Sequence, residues 1–306
     1  MSKTFDDLLT KVSSCSRKKV SVAAAQDQPI LEAVDEARKR GIADAILVGD
    51  EEKIREIASK INMDLSEFEI INEPDMEKAA LKAVSLVHDG KADMYMKGLT
   101  DTKTFLKSVL NKEVGLRTGK PLSHVCVFEI AGMDRLLFLT DVAFIPYPTL
   151  EDKVAMIDYT VDIAKACGVD NPKVAPLAAV EVVNPKMQAT VDAAELTKMN
   201  DEGKITGCIV DGPLSLDLAI EPEAAKHKGA TGRKIVGDAD ILVFPDIHAG
   251  NIFYKGVVHL ADAKNGNILT GTKAPVVLTS RSDSKEVKIN SIALGAVVAE
   301  TLKGGN

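Results

Sequence analysis

The stretch KVSVAAAQDQPILEAVDEARKRGIADAILV, residues 19–48, decides the fold class. It opens on a short apolar run, residues 19–25, that reads as a buried strand. Over residues 29–40, Ile30, Leu31, Val34 and Ala37 recur on one helical face, and Gly41 stands where a helix C-cap belongs. Residues 43–48, Ala-Asp-Ala-Ile-Leu-Val, then form a second strand. Strand, helix and strand in so short a span make a βαβ unit, which requires parallel pairing.

The alternation continues outward from that unit. Helices are expected over 51–60, 75–88 (with Pro74 near its start) and 102–110, between strands at 68–71 and 92–97. Residues 123–130 and 135–140 are two apolar runs without a helix between them, joined by Ala131-Gly132-Met133-Asp134, which resembles a hairpin. The alternation then restarts with a helix over 150–167 and Gly168 at its end. Strands are expected at 174–180, 207–210 and 239–244, and helices at 185–199, 216–226 and 248–259. Short strands at 268–270 and 276–279 precede a closing helix over 283–302. The hairpin marks the seam between two parallel sheets. No Gly/Ser linker interrupts the chain, so the domains are expected to pack together, with function at strand C-terminal ends or in a cleft between domains.

Composition bounds the rest. At about 150 residues per domain, the 306-residue chain suggests two domains. Hydrophobic residues make up 45% and charged residues 27%, which excludes disordered and fibrous classes. A net charge of −7, with no Trp and only 4% aromatic residues, makes a poor nucleic-acid binder. Cys15, Cys126, Cys167 and Cys208 have neither metal-ligand nor C-x-x-C spacing, so reduced thiols in a cytoplasmic protein are expected. The acidic N-terminus is unlike a signal or transit peptide, and no apolar run reaches the ~18 residues of a membrane span.

Several strand-to-loop junctions gather small and polar residues. In Met96-Lys97-Gly98-Leu99-Thr100-Asp101-Thr102 a strand ends in Lys and Gly and two hydroxyls enter a helix. Such a helix N-terminus suits a phosphate, and the same residues also make an ordinary capped turn. Gly115-Leu116-Arg117-Thr118-Gly119-Lys120 reads either as an anion loop or as solvated surface, and fits neither nucleotide fingerprint. Asp211-Gly212-Pro213 turns a strand sharply. Asp246-Ile247-His248-Ala249-Gly250-Asn251, with Tyr254 and Lys255 a turn further, puts polar groups at a helix start without the cluster a metal needs. Thr279-Ser280-Arg281-Ser282-Asp283 flanks a guanidinium with hydroxyls, suited to phosphate, or simply caps the last helix. Together these loops suit a phosphate-bearing substrate, and no nucleophile elbow appears.

Read in order, DGPLSLDLAI (211–220), ADILVFPDIHAGNIFYK (239–255) and GNILTGTKAPVVLTSRSDS (266–284) resemble the phosphate acetyl/butyryltransferase family. The likeness extends to KGLTDT (97–102), GLRT (115–118) and TDVAFIPYPT (140–149). The short chain, VAAAQDQPILEAV and TSRSDS are most similar to its butyryl-transferring members, whereas acetyl-specific members carry N-D-L-S-R-G where this chain has Val277 to Ser282.

The resemblance implies an α/β protein of two α/β/α domains with an interdomain cleft, shared with isocitrate and isopropylmalate dehydrogenases. It implies a first domain of residues 1–140 plus 272–306, a second of 141–271, and a homodimer or higher homo-oligomer. It implies reversible transfer of a short acyl group, butyryl first, between coenzyme A and phosphate through a ternary complex, with no cofactor beyond these substrates. Acetyl transfer and a non-catalytic regulatory domain binding CoA or phosphate are the alternatives. Arg281 matches the phosphate-binding Arg and Ser280 its neighbouring Ser. Thr100, Thr102, Arg117 and Lys255 are further phosphate ligands, and Lys97, Gly98, Asp211, Gly212, Pro213, Asp246, Gly250 and Asn251 line the substrate cleft. The family's carboxylate base falls on Val287, so Glu286 or Asp283 takes that role or none is needed. An Arg of relatives is replaced by Lys107. Lys97, Arg117, Lys255 and Arg281 are thus expected to converge as a local cationic site in an acidic chain.

Overall fold

Strand pairing in the computed structural model, which describes residues 2–14, 16–280 and 282–304, follows the βαβ order of the sequence. Helix α1 (Phe5–Ser13) precedes β1 (Lys18–Ala23), α2 (Gln28–Lys39), β2 (Ala43–Gly49), α3 (Glu51–Lys60) and β3 (Glu69–Asn72). Then come α4 (Met76–His88), β4 (Met94–Lys97), α5 (Thr102–Val109) and the pair β5 (Ser123–Ile130) and β6 (Leu137–Thr140). The middle of the chain holds α6 (Leu150–Ala166), β7 (Lys173–Pro176), α7 (Gln188–Asp201), β8 (Ile209–Val210), α8 (Leu216–Ile220) and α9 (Pro222–His227). It closes with β9 (Ile241–Val243), α10 (Ile247–Leu260), β10 (Ala263–Thr270), β11 (Val276–Val277) and α11 (Lys285–Gly304).

Two compact units result. The terminal unit comprises Phe5–Lys120 and Asn265–Asn306, and the central unit Met1–Thr4 and Pro121–Lys264. The sequence reading instead divided the chain at 140 and 271. The hairpin explains the difference: β5 and β6 pair antiparallel, and β6 then pairs in parallel with β9, which draws the hairpin into the central unit. Residues 265–270 go with the terminal unit because β10 pairs antiparallel with β11.

In the terminal unit the strand order is β3-β2-β1-β4-β11-β10. β1 lies between β2 and β4, with Val20 opposite Ala45 on one side and Met94 on the other. The near-continuous burial of β1, β2 and β4 is that of parallel strands covered on both faces. Chain direction along the sheet reverses after β3, and right-handed crossovers then put α2 and α4 on opposite faces. α11 packs on α2 and on β11. α1 was not anticipated from the sequence; Phe5, Leu8 and Val12 share one buried face, and the helix rests on α11.

In the central unit the order is β5-β6-β9-β7-β8, with β6, β9, β7 and β8 parallel. Its core joins Phe128, Leu137, Leu139, Leu242 and Phe244 to Tyr254 of α10. The single helix expected over 216–226 is two, because Glu221 is extended (φ −123°) before Pro222. A residue preceding proline is driven out of the α region, and Pro222 then serves as the first residue of α9. The strand expected to reach 180 ends at Pro176, and Leu177 makes only an isolated bridge to Leu214. Among the described residues no helix is long and apolar enough to cross a membrane.

Candidate active site

From β1 the chain steps outward to β2 and β3, then returns to β4 on the other side of β1. A crevice opens at such a reversal, outside the carboxyl ends of the strands. The loop after β1 turns through Ala24, a non-glycine residue held at φ +54°. That conformation is uncommon for alanine and costs of order 1 kcal/mol. It aims the carbonyls of Ala23 and Ala24 at the loop after β4, where they accept from the N–H groups of Gly98 (2.9 Å) and Leu99 (2.8 Å). A Cβ on Gly98 would lie 2.4 Å from both carbonyl oxygens, so only glycine fits.

A small solvent-open pocket lies at this point. Asp27 and Ile30 line it from the start of α2, Lys97 and Gly98 from the end of β4. Thr279 and Ser280 line it from the loop after β11, and Lys288 from α11. Asp27 is the N-cap of α2 and accepts from the Ile30 N–H at 3.2 Å. Lys97 and Lys288 are both buried. Lys97 Nζ donates to the Gly98 carbonyl at 3.3 Å. Burial pushes the Lys288 ammonium below the usual lysine value, opposed by the charges of Asp283 and Asp27. Two ammonium groups, two hydroxyl-bearing residues and a close backbone turn make a site for an anionic, oxygen-rich group.

The last loop is held as a tight turn. Ser280 N–H donates to Asp283 Oδ2 at 2.7 Å, and Ser280 Oγ lies 3.0 Å from Ser282 Oγ. Arg281, marked by the sequence, lies outside the described residues, as does Cys15. Glu286 does not line the pocket; it pairs with Arg40 at 2.9 Å, beyond the end of α2. Thr100 is buried two residues after Gly98, while Thr102 is exposed in the first turn of α5. Arg117 is exposed and its backbone bridges Thr272, so it does not join Lys97 in this pocket.

The remaining sequence-marked residues belong to the central unit, where most hold loops in place. Asp211 is buried, accepts from both Arg233 Nη2 (2.8 Å) and Nε (3.2 Å), and from the N–H groups of Lys234 and Ile235. Gly212 packs against Pro176 and Ala193, and its peptide bond to Pro213 is cis. The Ser215 hydroxyl lies between the Glu181 carboxylate and that of Asp217 (2.6 Å), with one proton to donate between them, and Lys228 bridges both acids. The Ser215 hydroxyl, with Lys228 beside it, holds the Asp217 carboxyl at about 2.

Asp246 caps α10, accepting from the N–H groups of His248 (2.9 Å) and Ala249 (3.0 Å). A Cβ on Gly250 would lie 2.2 Å from the Asp141 carbonyl, and Asn251 Nδ2 donates to the Val142 carbonyl at 2.9 Å. Both residues therefore clamp α10 to the loop after β6. Asp141, which the sequence reading passed over, is buried with both carboxylate oxygens filled. Oδ2 accepts from Ser123 and His124, Oδ1 from Ala143 and Phe144. Lys255 is exposed, with its ammonium 5.1 Å from the Tyr254 ring centroid.

The sequence reading also missed Asp27 and Lys288. Asp27 had a legible signal, since Asp one residue before a Gln-Pro helix start is an N-cap pattern. Lys288 had none: a lysine near a helix start reads as a surface charge until the helix is placed.

The fold and pocket define an α/β protein with a polar, lysine-bearing pocket at the carboxyl ends of parallel strands. The family model described as phosphate acetyl/butaryl transferase matches residues 4–80 and 73–296, and the chain belongs to that family of acyltransferases. It is 62% identical, over 98% of its length and 99% of the relative's, to a phosphate butyryltransferase of Clostridium acetobutylicum. It is 45% identical to a phosphate acetyltransferase of Thermotoga maritima, over 96% of its length and all of the relative's. A crystal structure of a branched-chain phosphotransacylase from Enterococcus faecalis superposes with a TM-score of 0.81 at 36% identity. The match covers 92% of this chain and 99% of that one.

Proposed function

We propose that this protein is a phosphate butyryltransferase, moving a butyryl group reversibly between coenzyme A and inorganic phosphate in a ternary complex. The observation that carries the reading is the pocket of Lys97, Thr279, Ser280 and Lys288 in a chain so close to a phosphate butyryltransferase. In the reaction a phosphate oxygen attacks the thioester carbonyl, the new C–O bond forms and the C–S bond breaks. One proton passes from phosphate to the CoA sulfur, giving butyryl phosphate and free thiol. The protein's task is to hold the two substrates in line and to stabilise charge on the carbonyl oxygen and the sulfur.

In this reading Arg281 clamps phosphate and Ser280 donates to the developing oxyanion. Thr100, in the loop after β4, and Thr102, at the start of α5, add contacts to phosphate. With Glu286 held by Arg40 off the pocket, Asp283 relays the proton or no carboxylate is needed. The reading extends to a cytoplasmic enzyme that needs no resident cofactor and works as a homodimer or higher homo-oligomer. Self-association is supported by the outer side of α10, where Ile252 and Leu260 are exposed. The two-unit organisation supports kinship with isocitrate and isopropylmalate dehydrogenases.

The test is CoA release with phosphate and acetyl-, propionyl-, butyryl- or isobutyryl-CoA, compared as kcat/KM. The reading requires butyryl-CoA to be preferred to acetyl-CoA. The reverse order makes the protein a phosphate acetyltransferase. CoA binding by calorimetry without turnover of any short acyl-CoA makes it a binding domain.

A further inference from the structure

Lys288 is buried to 2% exposure under the loop that carries Ser280, and nothing in the sequence pattern singles it out. Its ammonium donates to the main-chain carbonyls of Asp283 and of Ser280 (3.4 Å). Two other deeply buried lysines are engaged differently. Lys18 meets the carboxylate of Glu300, and Lys153 that of Asp192 at 2.6 Å. A carboxylate neutralises an ammonium, whereas carbonyl dipoles satisfy its hydrogen bonds and leave its net charge in place.

Among the described residues the charged groups around it are few. Asp27 faces it from the cap of α2, Asp283 from its own turn, and Lys97 shares the pocket wall from the end of β4. Burying an ammonium costs several kcal/mol, and a methionine of similar length would fill the same space without that cost. A lysine here therefore serves the pocket, which lies against the same side chain.

We infer that Lys288 is a positioning residue of the acyl-transfer site: it ties the Ser280–Asp283 turn to α11 and so fixes Ser280 at the pocket wall. The inference rests on the acyl-transfer reading above. A turn held by two main-chain hydrogen bonds keeps its geometry while phosphate and acyl-CoA come and go. A displacement of about 1 Å in such a group is enough to cost about 100-fold in rate.

The test is steady-state kinetics of wild type, Lys288→Met and Lys288→Arg, varying butyryl-CoA and phosphate separately, with circular dichroism and thermal midpoints on the same samples. Lys288→Met is expected to lose about 100-fold in kcat while its KM for butyryl-CoA stays within about threefold. Its thermal midpoint should be no lower than wild type, since a buried charge is gone. Lys288→Arg, which keeps the donors, should recover at least about tenfold of the loss. If Lys288→Met does not fold, Lys288→Gln carries the same expectation. A folded Lys288→Met or Lys288→Gln with kcat within about threefold of wild type overturns the inference alone. So does a loss of kcat matched by an equal fraction of unfolded protein. A wild-type protein that releases no CoA overturns the acyl-transfer reading, and the inference falls with it.

Discussion

The Ser280 N–H donates to the Asp283 carboxylate at 2.7 Å, so two residues that the sequence marks as catalytic neighbours are joined through main chain and side chain. The carboxylate acts here as the cap of a turn. Removing it frees the Ser280 N–H and loosens the turn, with the positional cost that loosening brings. Asp283→Ala is expected to lower kcat for butyryl-CoA by about 100-fold. Asp283→Asn keeps an oxygen acceptor and should stay within about tenfold of wild type. If the carboxylate instead relays the proton, Asn will be as impaired as Ala. Measuring kcat for both variants across pH decides between cap and relay.

Gly98 gives a second expectation. Its N–H meets the Ala23 carbonyl, and an added Cβ would lie 2.4 Å from the Ala23 and Ala24 oxygens. These are main-chain atoms, so neither can rotate aside. Gly98→Ala must push apart the loops after β1 and β4, costing roughly 3 kcal/mol. It should also disturb Lys97, the preceding residue. The variant is expected to show a lower thermal midpoint together with a raised phosphate KM; an unchanged midpoint would contradict the contact.

The βαβ order was legible because its signals are local: apolar runs of strand length, helical spacing and glycine at helix ends. What escaped the sequence was non-local. Asp211 reads as a turn residue at a sheet edge, and its partner Arg233 lies 22 residues away. Gly250 reads as a residue of a helix start that lines the substrate cleft, yet its neighbour is the Asp141 main chain in the loop after β6. The family-specific string around Asp246 is thus built of a cap, a close-approach glycine and a clamp, each defined by the fold. Lys288 is the extreme case, since its significance depends on where α11 starts and on the turn packed against it.

The Asp211–Arg233 pair yields a stability prediction. Asp211 is buried, with hydrogen bonds from the guanidinium and from two main-chain N–H groups. Arg233→Met leaves that carboxylate with its main-chain donors alone. Breaking a buried pair by removing one partner costs about 3 kcal/mol. Asp211→Asn in the same background removes the stranded charge and should recover part of the loss. A double-mutant cycle by urea denaturation, with less than about 0.5 kcal/mol of coupling, would show the pair to be incidental.

The last prediction concerns pH. Burial lowers the Lys288 ammonium below the usual lysine value of 10.5, with Asp283 and Asp27 opposing. Below its folded value the lysine is charged in both states, and the folded protein bears the full penalty of burying that charge. Between the folded value and 10.5 the unfolded chain holds the extra proton, so stability gained by releasing it rises with pH through that window. Lys288→Met removes the penalty and its pH dependence together. Relative to wild type, the variant is therefore expected to be most stabilised near neutrality, with the advantage shrinking as pH approaches the lysine range. Thermal midpoints of both proteins, taken in steps from pH 7 to about 10, test this against the reference titration of lysine. A gap that stays constant across those steps would mean that the Lys288 ammonium titrates no differently in the folded chain than in the unfolded one.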